Sequence, residues 1–404
     1  MRILHTADWH LGKKLNDFQR IDEQRQVLEE ICQITEQENI DVVLIAGDLY
    51  DTFNPPNDAI ELLYKTLHRL ADNGNRPVIA IAGNHDSADR IEAPDPLARE
   101  CGIIFTGYPD TKIPCFKLES GLQVTKSDNG FFEMILAKSK ETLRVIHTPY
   151  ANEARLKSFF GTDDTHVSFR KILNEQWQKH ANAYCNNQGV NILLAHLFFT
   201  NGKELLKEPE DERSVIHVGG AQPVYTEDIP PQIDYTALGH LHRHHNLAQA
   251  ENPPVIYSGS LLEYSLSETN QQKYVTVIQA EAGKQVKTEK IPIKSGKRLY
   301  RKRFENVTEA LVWLKDNQET FVEITIKTDA FLTANVKRQL YEAHQGILGI
   351  IPEIHSKDVE KQDNTISAQE NIEDLFEKYF KQKHDKPLND ELKSLLKEVL
   401  NQKE

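Results

Sequence analysis

Five short apolar segments of this chain each run directly into a cluster of aspartate, asparagine or histidine. The segments are residues 2–5, 41–46, 77–82, 191–195 and 235–238, and their length and composition favour buried strands. Between the first three segments, apolar residues recur at helical spacing over residues 19–38 and 58–73. This β-α-β-α-β order predicts a mostly parallel sheet with helices on its faces. The polar clusters are therefore expected to meet at one edge of the sheet.

The clusters consist of residue types that bind divalent cations. In chain order they are Asp8-Trp9-His10, Gly47-Asp48 followed by Asp51, Gly83-Asn84-His85-Asp86, His196, and Gly239-His240-Leu241-His242. Carboxylate, amide and imidazole ligands suit ions such as Mn²⁺. Two such ions, about 3.5–4 Å apart, need a bridging ligand, and a carboxylate such as Asp48 is suited to that role. If their segments stay extended, Asp8 with His10, and His240 with His242, would each point to one side.

Each cluster taken alone also has an ordinary structural explanation. Asp48 follows a strand and could cap the next helix, and His196 could be a histidine of the core. The joint order D-x-H, G-D-x-x-D, G-N-H-D, H and G-H-x-H is far more specific than any one of its parts.

That order resembles the calcineurin-like metallophosphoesterases and, within them, the bacterial SbcD-type exonuclease subunits. The narrower resemblance rests on four stretches of sequence. These are His5-Thr6-Ala7-Asp8-Trp9-His10-Leu11-Gly12, Gly83-Asn84-His85-Asp86-Ser87, residues 234–242, and Tyr257-Ser258-Gly259-Ser260 followed by Glu268 and Lys273. These motifs cover roughly residues 1–280, and beyond them the resemblance is one of layout only.

The resemblance implies a centre of two Mn²⁺ ions, or of Mg²⁺ in their place. One ion would bind Asp8, His10, Asp48 and His242, and the other Asp48, Asn84, His196 and His240. His85 would face the scissile phosphate as a general acid or transition-state donor. Asp51 would be the carboxylate that orients His85.

The fold class expected is α/β, a metallophosphoesterase β-sandwich of mixed sheets flanked by helices, with a small α+β capping domain and a C-terminal helix pair. The expected boundaries are 1–283 for the nuclease domain, 284–355 for the capping domain, 356–368 for a polar linker and 369–404 for the helix pair. The apolar faces of the two helices are too large for the pair to bury alone. They are expected to dock on a partner groove, with packing on the chain's own core as the alternative.

Composition bounds the location and the partners of the chain. A net charge of −13 argues against a freely basic nucleic-acid binder, so DNA binding would be local or shared with a partner. The basic strip between residues 284 and 303 has a solvated edge strand as its ordinary explanation.

The four cysteines form no C-x-x-C pair, so neither a zinc ribbon nor a disulfide framework is expected. With no apolar run of about 18 residues and no room for a signal peptide before the first strand, we expect a cytoplasmic protein without membrane contact, associated with the nucleoid when bound to DNA.

The resemblance implies a Mn²⁺-dependent DNA nuclease with double-strand exonuclease and single-strand endonuclease activity. Such a protein would form a homodimer, join an SbcC-like SMC-type ATPase, and process DNA ends and hairpins in repair and recombination. The same site chemistry would also serve a metallophosphoesterase acting on small phosphoesters or cyclic nucleotides, which is the alternative. A non-catalytic scaffold would have lost ligands, and none is missing from this sequence.

Overall fold

The computed structural model describes residues 1–150, 169–202, 223–248, 252–329, 331–354 and Phe376. The predicted linker at 356–368 and helix pair at 369–404 lie outside the described residues, apart from Phe376. The chain divides into two compact units, residues 1–327 with 332–352, and residues 328–331 with 353–404. Within the described ranges, none of the helices has the length and apolar character needed to cross a membrane.

The elements alternate along the first half of the chain as the periodicity predicts. The strands are β1 (Arg2–Thr6), β2 (Lys14–Leu15), β3 (Phe18–Gln19), β4 (Val42–Ile45), β5 (Val78–Ile81), β6 (Ile103–Thr106), β7 (Phe116–Lys117), β8 (Gln123–Asp128), β9 (Phe131–Ile135), β10 (Thr142–Thr148), β11 (Val190–His196), β12 (Phe199–Thr200), β13 (Val224–Tyr225), β14 (Tyr235–Gly239), β15 (His245–Asn246), β16 (Val255–Tyr257), β17 (Tyr274–Gln279), β18 (Lys287–Pro292), β19 (Arg298–Phe304), β20 (Thr320–Thr328) and β21 (Ile347–Ile354). The α-helices are α1 (Ile21–Gln37), α2 (Asn57–Ala71), α3 (Ala88–Glu92), α4 (Asp95–Glu100), α5 (Phe169–Tyr184), α6 (Val307–Asp316) and α7 (Ala334–Ala343).

Two large sheets form the main body of the first unit. The first has the order β18-β17-β1-β4-β5-β6, in which β1, β4, β5 and β6 are parallel neighbours. The second has the order β15-β16-β14-β11-β10-β9-β8-β7, with β16, β14, β11 and β10 parallel. The predicted fold class, a β-sandwich of mixed sheets flanked by helices, is confirmed.

The cores explain why the central strands are continuously apolar. Leu4 of β1 packs with α1 and α2 in one core, while its neighbour Ile3 packs between the two sheets in a second core. A third core, which includes Trp177 of α5, covers the outer face of the second sheet. A strand that is buried on both faces has no polar alternation, and this is the pattern the sequence shows.

A smaller α+β unit begins after β18, the last strand of the first sheet. Strands β19, β20 and β21 form a three-stranded sheet, and α6 and α7 contribute to its own core, which includes Val322 and Leu340. A separate small cluster joins Leu299 and Phe321 of this sheet to Leu15 of the β2–β3 hairpin. The hairpin begins four residues after His10, so this unit is tied to a segment that leads directly out of the candidate site.

Candidate metal centre

The carboxyl ends of the parallel strands bring the seven predicted ligands together. Their segments follow β1, β4, β5 and β14, and His196 is the last residue of β11. Each is buried, at 6% exposure or less: Asp8, His10, Asp48, Asn84, His196, His240 and His242.

His10 and His242 form one half of the centre. Their Nε2 atoms lie 3.0 Å apart, and Oδ2 of Asp48 lies 3.5 Å from Nε2 of His10. Asp8 Oδ1 accepts a hydrogen bond from the main-chain N–H of His240 at 2.9 Å, whereas Asp8 Oδ2 is buried with no hydrogen-bond partner among the described residues. Asp8, His10 and Asp48 each offer one ligand atom within 4.8 Å of the others, so they could hold a cation.

Asn84 organises the other half of the centre. Its Oδ1 lies 2.9 Å from Nε2 of His196 and 3.0 Å from Nδ1 of His240. An amide oxygen and two imidazole nitrogens, which suit a borderline divalent ion, therefore converge. The remaining nitrogen of His196, Nδ1, faces the main-chain oxygen of Ala46 at 2.7 Å, which fixes the ring with Nε2 toward the centre.

Asp48 lies between the two halves. Its Oδ2 is 3.5 Å from Nε2 of His10 and 3.4 Å from Nε2 of His196. Its Oδ1 accepts the main-chain N–H of His85 at 2.8 Å, which prevents the carboxylate from rotating. One oxygen of this side chain is thus directed at both groups of imidazoles.

The backbone that carries these ligands is not extended, contrary to the pairing expected from the sequence. Asp8, His10, Asp48 and His240 have φ angles of 52°, 44°, 51° and 108°, which cost non-glycine residues about 1–3 kcal/mol each. Main-chain hydrogen bonds from Asp8 to Gly47 at 3.0 Å, and from His10 to Asp48 at 2.9 Å, hold the first two segments side by side. Tight turns fixed by tertiary contacts, rather than strand geometry, therefore direct these side chains inward.

His85 lies beside the first half, with its ring edge-to-face against that of His10 at a centroid distance of 4.8 Å. Its Nδ1 lies 2.9 Å from the main-chain oxygen of Asp51, so Nε2 is left to face the site. The Asp51 carboxylate instead accepts from Lys13 Nζ at 2.8 Å and lies 3.5 Å from His10 Nδ1. The structure therefore differs from the sequence-based expectation: the carbonyl of Asp51, and not its carboxylate, contacts His85.

The groups of a second triad, His10, Asp51 and His85, also each offer a ligand atom within 4.8 Å of the others. Its hydrogen bonds oppose metal binding, because Asp51 is paired with Lys13. Burial alone would raise the pKa of Asp51, but the contacts with His10 and Lys13 hold this pKa well below its usual range. The carboxylate is thus charged and already has a cationic partner.

Burial shifts the pKa values of Asp8 and His10 in opposite directions, and a neighbouring charge outweighs burial at His196. Burial raises the pKa of Asp8 to about 7 and lowers that of His10 to about 3. Burial also opposes the charge on His196, but the Asp48 carboxylate raises the pKa of His196 to about 9. Metal ligation needs deprotonated carboxylates and neutral imidazoles. A divalent cation would therefore displace protons from Asp8 and His196 when it binds.

Two glycines of the motifs leave no space for a side chain. A Cβ atom at Gly83 would lie 2.1 Å from Oδ1 of Asp48, and one at Gly239 would lie 1.8 Å from the main-chain oxygen of Ala46. Both distances are far below van der Waals contact, so glycine lets two ligand-bearing segments approach each other closely.

Asp86 has a structural role that sequence reasoning did not assign. Its carboxylate accepts main-chain N–H groups from Gly83 at 2.8 Å, Leu49 at 3.0 Å and Tyr50 at 2.9 Å. These bonds join the loop after β4 to the loop after β5, and so fix Asp48 relative to Asn84. The G-N-H-D motif contains the residue, but only the fold shows which amides it meets.

Comparisons with known proteins identify the family of this chain. The family model of the calcineurin-like phosphoesterases matches residues 1–244. The SbcD component of nuclease SbcCD from Bacillus subtilis (strain 168) is 34% identical over 390 residues, which is 94% of this chain and 92% of that protein. The SbcD component of nuclease SbcCD from Staphylococcus epidermidis is 28% identical over 410 residues, 99% of each chain.

Among solved structures, a dimetal phosphatase from Danio rerio is similar with a TM-score of 0.39 and 11% identity over 73% of this chain and 99% of that one, too distant to support a conclusion. The family model and the two relatives are sufficient to assign this chain to a family. The chain belongs to the calcineurin-like phosphoesterases and, within them, to the SbcD-type nucleases, and is therefore a metal-dependent phosphodiesterase.

Proposed function

We propose that the protein is the nuclease component of a complex with an SbcC-like SMC-type ATPase, and that it cleaves DNA at a centre of two Mn²⁺ ions. The observation that carries the two-metal assignment is the position of Asp48 Oδ2, 3.5 Å from His10 Nε2 and 3.4 Å from His196 Nε2. A single carboxylate oxygen directed at two groups of imidazoles suits a bridging ligand. The choice of DNA and of the partner rests on relatives that are named as components of SbcCD nucleases.

The residues present fit such a pair of ions. A buried carboxylate oxygen such as Asp8 Oδ2, which has no hydrogen-bond partner in the described part of the chain, is costly unless a cation or a donor satisfies it. Asp8, His10, Asp48 and His242 would hold one ion, and Asp48, Asn84, His196 and His240 the other. When bound, the ions would neutralise charge on the phosphate and lower the pKa of a bound water. Mn²⁺ suits the mixed oxygen and nitrogen donors, and Mg²⁺ would be the weaker choice because it prefers oxygen.

His85 acts on the leaving group in this proposal. The main-chain oxygen of Asp51 can only accept, so Nδ1 of His85 carries a proton and Nε2 faces the site. The imidazolium form of His85 donates its Nε2 proton to the leaving oxygen, which becomes the hydroxyl of the product.

The α+β unit would limit access to the centre, and its contacts with the β2–β3 hairpin support this role. Leu299 and Phe321 pack on Leu15 of the hairpin that follows His10, and Asn16 Nδ2 donates to the main-chain oxygen of Leu348 at 3.3 Å. The predicted capping domain, residues 284–355, would therefore shape the path of the DNA toward the ions, except for its residues 287–292, which form β18 and pair with β17 in the first large sheet. Because the chain has a net charge of −13, the ATPase would supply much of the attraction for DNA.

The proposal includes double-strand exonuclease and single-strand endonuclease activity, a homodimer, and docking of residues 369–404 on the ATPase. A cytoplasmic location beside the chromosomal DNA follows from this role in repair and recombination.

Digestion of end-labelled DNA tests the proposed function. Wild type and His85→Ala are incubated with hairpin, duplex and single-stranded DNA and Mn²⁺, with and without the ATPase and ATP. We expect Mn²⁺-dependent cleavage by wild type and loss of most turnover in His85→Ala, which should still bind Mn²⁺. Absence of DNA cleavage under every condition, together with rapid hydrolysis of a cyclic nucleotide, would identify a small-molecule phosphodiesterase instead.

A further inference from the structure

A buried ion pair lies behind His242, outside the predicted ligand set. Glu268 and Lys273 are 2% and 5% exposed, and their side chains form a salt bridge. Oε1 of Glu268 lies 3.0 Å from Nδ1 of His242. The same oxygen accepts the main-chain N–H of Tyr264 at 3.1 Å, so the carboxylate cannot turn away from the imidazole.

The side chain of Lys273 contacts the main chain of the same histidine. Its Nζ donates to the main-chain oxygen of His242 at 2.9 Å and to Oγ of Ser260 at 2.9 Å. The hydroxyl of Ser260 has two acceptors within reach, the main-chain oxygen of Leu262 at 2.9 Å and Oε2 of Glu268 at 3.3 Å. The ring of His242 is therefore held by the carboxylate, and its backbone by the ammonium that neutralises this carboxylate.

This arrangement sets which nitrogen of His242 is available. A carboxylate accepts hydrogen bonds, so Nδ1 of His242 carries the proton and the lone pair is on Nε2. Nε2 is the atom that lies 3.0 Å from Nε2 of His10, on the side of the first half of the centre. A buried ion pair gives little net stability compared with apolar residues of similar size, so stability alone does not account for this one.

We propose that Glu268 and Lys273 are positioning residues that set the tautomer and ring angle of His242 for one of the two metal ions. The inference rests on the proposed function, because it takes His242 as a ligand. Carboxylates behind metal-binding histidines commonly act in this way, and their loss weakens metal affinity about 10- to 100-fold. The loss should fall on the site formed with His10 and leave the Asn84 site largely intact.

The same loop offers a matched control in Glu263. This glutamate is also buried, at 3% exposure, and its carboxylate accepts from the main-chain N–H groups of Gln271 at 3.0 Å and Leu299 at 2.7 Å. Leu299 belongs to β19 of the α+β unit and Gln271 to the loop that follows Glu268, and neither residue is a predicted ligand. Glu263→Gln also removes a buried carboxylate from this loop, and it should leave the metal affinity unchanged.

The test is calorimetric titration of Mn²⁺ into the full chain freed of metal by chelation, with thermal unfolding as a check on folding. Wild type is expected to bind two ions. Glu268→Ala should weaken one site about 10- to 100-fold, Glu268→Gln should weaken the same site less because its amide oxygen can still accept from Nδ1, and Glu263→Gln should match wild type.

Unchanged affinity at both sites in Glu268→Ala, or equal weakening of both, would overturn the positioning role while leaving the proposed function intact. If Glu268→Ala does not fold, Glu268→Gln decides the matter: binding like that of Glu263→Gln overturns the role, and weakening of one site supports it. A wild type that binds fewer than two ions would instead contradict the proposed function itself.

Discussion

Replacement of Asp51 by asparagine separates the two ways in which this residue could support His85. The sequence alone favours its carboxylate, whereas the structure places its main-chain oxygen 2.9 Å from Nδ1 of His85. The main-chain oxygen remains when Asp51 becomes asparagine or alanine. Both variants should therefore retain an oriented His85, and the catalytic rate should fall little.

The size of the loss follows from the contacts that the carboxylate makes. Its pair with Lys13 has side chains that are 20% and 23% exposed; exposed pairs contribute about 0.2–1 kcal/mol, and the upper value applies here because both side chains are partly buried. Since about 1.4 kcal/mol corresponds to a tenfold change in rate, the expected decrease is about fivefold or less. Removal of the His85 imidazole should cost about 10²–10⁴-fold, the usual contribution of a general acid or base.

The measurement is the single-turnover rate of DNA cleavage at saturating Mn²⁺ and DNA, for wild type, Asp51→Asn, Asp51→Ala and His85→Ala. Saturating Mn²⁺ removes any effect of the 3.5 Å contact between Asp51 and His10 on metal affinity. If Asp51→Asn loses as much rate as His85→Ala, the carboxylate is the group that orients His85 and our interpretation is wrong.

Three further predictions concern stability and metal binding. Burial lowers the pKa of His147 to about 3, and the main chain of Thr111 offsets this shift only in part. At acidic pH the unfolded chain therefore takes up a proton on this histidine that the folded chain does not. Stability should therefore fall as the pH drops below about 6.5, by about 2 kcal/mol at pH 5, and an unchanged pH slope of urea unfolding in His147→Phe would refute this. Asp86→Ala leaves three buried N–H groups without their acceptor, at about 1–3 kcal/mol each, so a loss below about 1 kcal/mol in the same assay would contradict its role. Gly239→Ala places a Cβ atom 1.8 Å from the oxygen of Ala46, and we expect calorimetry to show lost Mn²⁺ binding; wild-type affinity would disprove the need for glycine there.

The sequence predicts the convergence of the ligands well because the strands that carry them are buried on both faces. Continuous apolar runs such as Val42–Ile45 identify parallel strands, and parallel strands place their carboxyl ends at one edge. Residue types at those ends then indicate a cation site. Asp48 and Asn84 could be identified in this way without knowledge of any distance.

The local backbone of the ligands could not be predicted in the same way. Asp8 and His10 adopt positive φ angles because main-chain hydrogen bonds to Gly47 and Asp48 hold them there. Those bonds join segments about 40 residues apart, and no local preference of aspartate or histidine encodes them. The condition that these segments stay extended is therefore not met, although both side chains still reach the centre.

The roles of the supporting residues could not be predicted for a related reason, although the sequence motifs contain these residues. Glu268 is 26 residues from His242, and the three amides that contact Asp86 belong to two different loops. Spacing within a motif carries no information on contacts of this kind. The basic strip likewise divides between two sheets, since Lys287–Pro292 is the edge of the first large sheet and Arg298–Phe304 belongs to the small one. Exposed charges do not show which sheet a strand joins.

Anomalous diffraction from crystals soaked in Mn²⁺ tests the central claim most directly. We predict two anomalous peaks about 3.5–4 Å apart, with Asp48 between them, one beside His10 and His242 and the other beside Asn84, His196 and His240. A single peak, or a peak held by Asp51 and His85, would contradict the two-metal centre proposed for this nuclease.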